Sequence, residues 1–156
     1  MSLKNETDCC SGVQSNSSCP LCNERKQSVT VRTLKHWLQA SLVPFVGEGP
    51  YYFCGTKDCP IVYFSGDHSI QYTKKQLRDR ITSKEVSGPH TLCYCFGVSE
   101  EMISEEIQMS DQSTFSSWIE KEVKNGVCAC EVRSPTGRCC LSEIKKTEMK
   151  IQKIKT

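Results

Sequence analysis

The chemistry written into this sequence lies in its cysteines. Cys19-Pro20-Leu21-Cys22 forms a compact C-x2-C knuckle whose bend turns both sulfurs toward one point, and Cys54 and Cys59 follow after 31 intervening residues as a C-x4-C pair. Four thiolates suffice for a tetrahedral ion that asks only for Zn–S distances of about 2.3 Å, which is the requirement of Zn²⁺. A shell of four protein ligands leaves no open coordination position, so the ion expected on Cys19, Cys22, Cys54 and Cys59 is structural rather than catalytic.

A second group lies further along. Cys93-Tyr94-Cys95 runs into Ser99-Glu100-Glu101, and Cys128, Cys130, Cys139 and Cys140 come later. A C-x-C pair just before a helix is unusual for zinc. It suits an iron–sulfur core, which takes thiolates from a tight loop and hydrogen bonds from nearby backbone N–H groups. A [2Fe-2S] core needs four of these six thiols; spacing leaves the choice among the last four open, and a second zinc is the competing reading.

The rest of the chain decides between metal and disulfides. Twelve cysteines accompany a hydrophobic content of only 37% and a mean hydropathy of −0.44, so burial alone is a weak source of stability. Met1-Ser2-Leu3-Lys4-Asn5-Glu6-Thr7-Asp8 lacks the apolar stretch of a signal peptide, and no run approaches the ~18 apolar residues of a membrane span. The expected location is therefore cytoplasmic, without membrane insertion, where thiols stay reduced and bind metal. A formal net charge of +2 gives no case for nucleic acid, and two four-thiolate centres would take the loaded protein to about −2.

The elements that must position these thiols follow from pattern. Residues 1–18, polar apart from Cys9-Cys10, read as a disordered leader. A helix is expected from Thr33 through Leu34, Trp37, Leu38 and Leu42, stopping before Pro44. Tyr51-Tyr52-Phe53 and Ile61-Val62-Tyr63-Phe64 read as a β-hairpin with a cysteine at each end of its turn. Thr73 and Gln76 resemble a capping box opening a helix through Leu77 and Ile81. These residues make a zinc-binding module over 19–82, and the Gly- and Pro-broken stretch 83–90 reads as a linker.

Residues 91–145 form the cluster-binding module. Ser99 caps a helix whose narrow apolar face is Met102, Ile103 and Ile107. A second helix covers 114–124, with Phe115, Trp118, Ile119 and Val123 inward. A last helix carries Leu141, Ile144, Ile151 and Ile154 on one stripe, and 146–156 is its basic tail. The fold class expected is a small α+β metalloprotein: a zinc-knuckle and β-hairpin module followed by a helical ferredoxin-type [2Fe-2S] module.

Cys93-Tyr94-Cys95-Phe96-Gly97-Val98-Ser99-Glu100-Glu101 resembles the opening of the bacterioferritin-associated ferredoxin type of [2Fe-2S] domain. The ordered series CPxC, C-x4-C beside Tyr-Phe residues, CYC and Ser134-Pro135-Thr136-Gly137-Arg138-Cys139-Cys140 resembles the N-terminal region of CopZ-type copper chaperones over about residues 19–145. This resemblance implies zinc on Cys19, Cys22, Cys54 and Cys59 and a [2Fe-2S] cluster on Cys93, Cys95, Cys130 and Cys140. It implies a metal-homeostasis role supporting copper trafficking or Cu(II) reduction, with Cu(I) as a further bound ion. The partner implied is a copper-transporting ATPase or a redox protein. Only sixteen residues follow Cys140, so the copper-binding domain with its Met-x-Cys-x-x-Cys loop is not expected here.

Two other readings stand beside this one: a ferredoxin-like electron carrier or regulator serving another reductase or an iron-storage protein, and a zinc-ribbon module for nucleic acid, which the charge disfavours. No Ser/His/Asp, Cys/His or paired-carboxylate arrangement marks an enzyme. His36, His68 and His90 read as surface or packing residues because each thiol set is already complete. Cys9 and Cys10, adjacent thiols on a tail, are candidate ligands for a soft ion such as Cu(I).

Overall fold

The computed structural model describes residues 18–24 and 27–155; the leader up to residue 17, with Cys9 and Cys10, lies outside the described residues. The chain divides into two compact units, Met1–Arg80 and Ile81–Thr156.

The first unit is built on an antiparallel sheet in the order β1 (Gln27–Val29), β2 (Tyr51–Phe53), β3 (Ile61–Ser65), β4 (Gln71–Thr73). The expected hairpin is β2–β3, with Tyr51 opposite Ser65, Tyr52 opposite Phe64 and Phe53 opposite Tyr63. Every residue of both strands is buried, so they carry continuous rather than alternating apolar side chains. The cross-strand rings lock the register: Tyr52 stacks on Phe64 and Phe53 meets Tyr63, each at 5.6 Å between centroids.

Two helices expected in this unit are shorter than their periodicity. Helix α1 spans Val31–Trp37 and is capped by Thr30, whose hydroxyl accepts from Thr33 N at 3.2 Å; Thr33, the expected cap, is instead buried one turn inside. The helix stops at Leu38 because that residue forms a β-bridge with Leu77, flanked by Gln39 N to Gln76 O at 3.0 Å and Arg78 N to Trp37 O at 2.8 Å. The same bridge ends the second segment. Gln76 does accept from Thr73 N at 2.8 Å, but only a single 3-10 turn, Lys74–Gln76, forms before Leu77 becomes extended. Tertiary pairing has overridden local helical preference at both places.

The second unit begins earlier than expected. Residues 83–90 are part of it rather than a linker: a 3-10 turn covers Thr82–Lys84, and Ile81 and Lys84 are buried. Thr91 N donates to Thr82 Oγ1 at 2.9 Å, while His90 sits between Glu85 O and the Glu101 carboxylate. A short ribbon, β5 (Thr91–Cys93) with β6 (Val98–Ser99), leads into α2 (Glu100–Ser110), α3 (Phe115–Lys124), α4 (Cys130–Arg133) and α5 (Leu141–Lys155). The ribbon and α4 had no periodic signal, being too short to show one.

Ser99 caps α2 as expected, its Oγ accepting from Met102 N at 3.3 Å, with Glu100 and Glu101 in the favourable first turn. The core joins Val98, Ile103, Ile107, Ile119 and Ile144 to Cys93 and Cys140. Met102 and Ile154, expected on inward faces, are exposed. Helix α5 continues without a break through residue 146, so the expected tail boundary falls inside it. Among the described residues no helix is long and apolar enough to cross a membrane.

The contrast along α5 gives a stability test. Ile144 is fully buried and Ile154 is 76% exposed. In a Trp37→Phe background, Trp118 fluorescence reports the second unit alone. Ile144→Ala is expected to lower its unfolding free energy by about 2–5 kcal/mol in urea titrations, and Ile154→Ala by less than about 0.5 kcal/mol. Equal effects would contradict the packing described.

Candidate metal centres

The first centre is assembled from two turns and a strand end. In the knuckle, Asn23 N donates to Cys19 O at 2.9 Å and Cys19 N to Glu24 O at 3.0 Å, with Asn23 at φ 62° closing the bend. His68 Nε2 lies 2.8 Å from Ser18 O and packs edge-on against Phe64, which pins the chain just before Cys19 to the β3–β4 turn. Its role is packing, as its sequence context indicated. Cys54 extends the hairpin ladder through its N–H to Val62 O at 2.7 Å, and Cys59 is held by its N–H to Thr56 O at 3.3 Å.

All four sulfurs, of Cys19, Cys22, Cys54 and Cys59, lie within 4.8 Å of one another. Cys19 to Cys59 is 3.9 Å and Cys22 to Cys54 is 3.7 Å. A tetrahedron with Zn–S near 2.3 Å has edges of about 3.8 Å, so the two shortest pairs already match it and no pair exceeds it by more than about 1 Å. Cys19, Cys54 and Cys59 are buried and Cys22 is half-buried.

The electrostatics make the same point. Burial, reinforced by the charge of Cys54, pushes the Cys59 thiol up to about 12, and burial also raises Cys19. Cys22 goes the other way, to about 6: burial opposes its ionisation, but the Thr56 hydroxyl, the backbone at Glu24 and the neighbouring thiols outweigh it. Thr56 Oγ1 is 3.4 Å from the Cys22 sulfur. Four thiolates cannot coexist here without a cation, and a divalent ion supplies the missing charge as the protons leave. Thr56 was not singled out from sequence; its only signal was its place between Cys54 and Cys59.

The second unit gathers the other thiols around the end of β5. Cys93 and Cys140 are buried, Cys95, Cys128 and Cys130 half-buried, and Cys139 exposed. Cys95 and Cys130 are 3.5 Å apart, and the backbone N–H of Ala129 reaches Cys95 Sγ at 3.3 Å. Cys93 is hydrogen-bonded by Cys140, which, against burial and with help from the Phe96 and Cys95 backbone, brings its thiol down to about 6. The same contact and burial raise Cys140, with added repulsion from Cys93, Cys130 and Cys139. Burial and Cys95 raise Cys130, with smaller contributions from Cys139 and Cys128. Spacing left four late cysteines equivalent; the fold brings Cys130 and Cys140 into contact with the C-x-C thiols and leaves Cys128 and Cys139 at the side.

A family model described as a zinc binding domain, zf_CopZ, matches residues 16–78, which contain the whole first centre. The chain is 29% identical over 126 residues to the copper chaperone CopZ of Archaeoglobus fulgidus, covering 78% of this chain and 57% of that protein. The chain therefore spans little more than half the length of that relative. The X-ray structure of the Archaeoglobus fulgidus CopZ N-terminal domain superposes with a TM-score of 0.66 at 27% identity, over 83% of this chain and 95% of that one.

Two substitutions test the first centre. Cys54→Ser is expected to abolish bound zinc by elemental analysis and to unfold the first unit, seen as loss of native Trp37 emission in a Trp118→Phe background. Thr56→Val should keep zinc but weaken it about tenfold in competition with a chromogenic chelator; an unchanged affinity would remove Thr56 from the site.

Proposed function

We propose that this chain is a metal-homeostasis protein of the CopZ N-terminal type, holding structural zinc in its first unit and a [2Fe-2S] cluster in its second, and supporting copper trafficking or Cu(II) reduction in the cytoplasm. The observation that carries the cluster reading is the pairing of thiols, Cys95 with Cys130 and Cys93 with Cys140. Two irons each take two thiolates in a [2Fe-2S] core, and two touching pairs match that requirement in number.

The residues around the pairs suit such a group. The Ala129 N–H aimed at Cys95 and the Phe96 and Cys95 backbone beside Cys93 stabilise negative charge on sulfur. Cys140 directly precedes the fifteen-residue α5, whose first turn adds positive potential. Val98, Ile103 and Ile144 pack around Cys93 and Cys140 and keep water from that side. When bound, the cluster supplies one-electron chemistry; Cys95 and Cys130, half-buried, form the side through which an electron would pass.

In this reading the protein is a carrier and not an enzyme. Its metal partners are Zn²⁺, iron and Cu(I), and its protein partner is a copper-transporting ATPase or a redox protein. Support for the copper connection comes from the likeness to CopZ over most of the chain.

Protein purified without oxygen should be brown, with about two irons and one zinc per chain. Cys93→Ser, Cys95→Ser, Cys130→Ser and Cys140→Ser are each expected to bleach or shift the visible spectrum, whereas Cys128→Ser and Cys139→Ser leave it near wild type. A colourless protein with two zincs would overturn the cluster reading.

A further inference from the structure

Two helices of the second unit carry faces that its core does not use. In α2, Ile103 and Ile107 are buried, while Glu101, Met102, Glu105 and Met109 are exposed, Met109 to 88%. At 3.6 residues per turn these four fall on one side of the helix. In α5, Ile144 is buried, and Lys146, Met149, Lys150 and Lys153 are exposed along the opposite side, with Ile154 at their edge. Exposed apolar side chains grouped on one face and rimmed by charge mark an interaction surface. Methionine, unbranched and flexible, covers a partner without demanding a fixed shape.

Charge divides the two faces. Helix α2 has four glutamates and no lysine or arginine, whereas α5 has five lysines and two glutamates. The lysines at the flanks of α5 are engaged within the chain, Lys145 with Glu120 at 3.4 Å and Lys155 with Asp111 and with Ile107 O at 2.8 Å. On the outer face Lys146 has an exposed pair with Glu143 of its own helix, a contact of small worth. Glu101 also holds His90, which leaves Glu105 as the central acid of its face. Each face is the complement of the other and repels its own kind.

The direction of the helices determines how a second copy meets both. Their starts lie together, because Cys140 and Ile144 share a core with Cys93, Val98 and Ile103. Their ends lie together where Lys155 reaches the carbonyls of Ile107 and Gln108. The two helices therefore run parallel. A twofold axis along them lays α2 of each copy on α5 of the other and keeps every residue at its own level. Lys150 lies five residues, about 7.5 Å, before Lys155, within a turn of the level of Glu105, and Lys146 comes about one turn earlier, near Glu101.

We propose that the outer faces of α2 and α5 form the interface of a twofold dimer of this chain, with Glu105 of each copy opposite Lys150 of the other. The surface is small. Helices of 11 and 15 residues are about 16 and 22 Å long and lie about 10 Å apart, which gives about 400 Å² per copy. That area belongs to the weak, transient class of interfaces, and its charge makes association steeply dependent on salt.

The test is sedimentation velocity on the full-length, metal-loaded protein over a range of concentrations. In about 0.01 M salt, where the Debye length is about 30 Å, the mass is expected to climb with concentration from that of one 17.6 kDa chain toward two. In about 1 M salt, where it is about 3 Å, the mass should fall back. Glu105→Lys and Lys150→Glu each set like charges opposite one another and should weaken association by more than about tenfold. Both sites are exposed, so circular dichroism and tryptophan emission should stay as in wild type. Mixing the two variants should restore association, because opposite charges then face each other at both contacts. A wild-type chain that stays monomeric at low salt would overturn the dimer. Single variants that associate as tightly as wild type, or a mixture no tighter than either variant alone, would overturn this interface.

Discussion

Charge on buried sulfur is the constraint from which this structure follows. Three of the four sulfurs of the first centre are buried, all four lie within 4.8 Å of one another, and burial raises the Cys19 and Cys59 thiols. Such a site is poorly stabilised as four thiols, which pack weakly and hydrogen-bond weakly, and cannot exist as four bare thiolates. It becomes favourable when a divalent cation bonds to all four sulfurs and offsets half of their charge. The sheet, the knuckle and the β2–β3 turn are arranged around that requirement, and the aromatic ladder of β2 and β3 sets the register of the hairpin that carries Cys54 and Cys59.

The second unit meets the same constraint differently. Its six thiols do not converge on one point. Two pairs touch, and the Ala129 amide and the start of α5 lend positive potential to them. Helices α2, α3 and α5 supply the apolar core that the first unit draws from its aromatic strands. The two halves of this chain thus place their sulfurs differently, one as four thiols around a single point and one as two touching pairs.

Much of this was legible in the residues because the signals were local. The C-x2-C and C-x4-C pairs, the hairpin between Tyr51 and Phe64, the Ser99 cap and the helix at 114–124 depend on neighbours within a few positions. What was not legible depended on pairing at a distance. The bridge between Leu38 and Leu77 cut short two helices that look amphipathic in isolation. Residues 83–90 read as a linker because Gly88 and Pro89 punctuate them, yet the turn at Thr82–Lys84 is secured by Thr91 and His90. Thr56 and the Ala129 N–H carry no motif at all; their roles exist only once Cys22 and Cys95 have been folded against them.

The contact between Cys22 and Cys54 spans 32 positions of sequence, and between them lie β1, α1 and β2. A bond through a shared ion closes that stretch into a ring, as a crosslink does. Confining a loop of this length removes about 3–4 kcal/mol of entropy from the unfolded chain. Metal occupancy and order in the first unit are then a single equilibrium, so loss of the ion opens the whole enclosed segment at once. Proteolytic susceptibility of this half of the molecule becomes a readout of zinc supply.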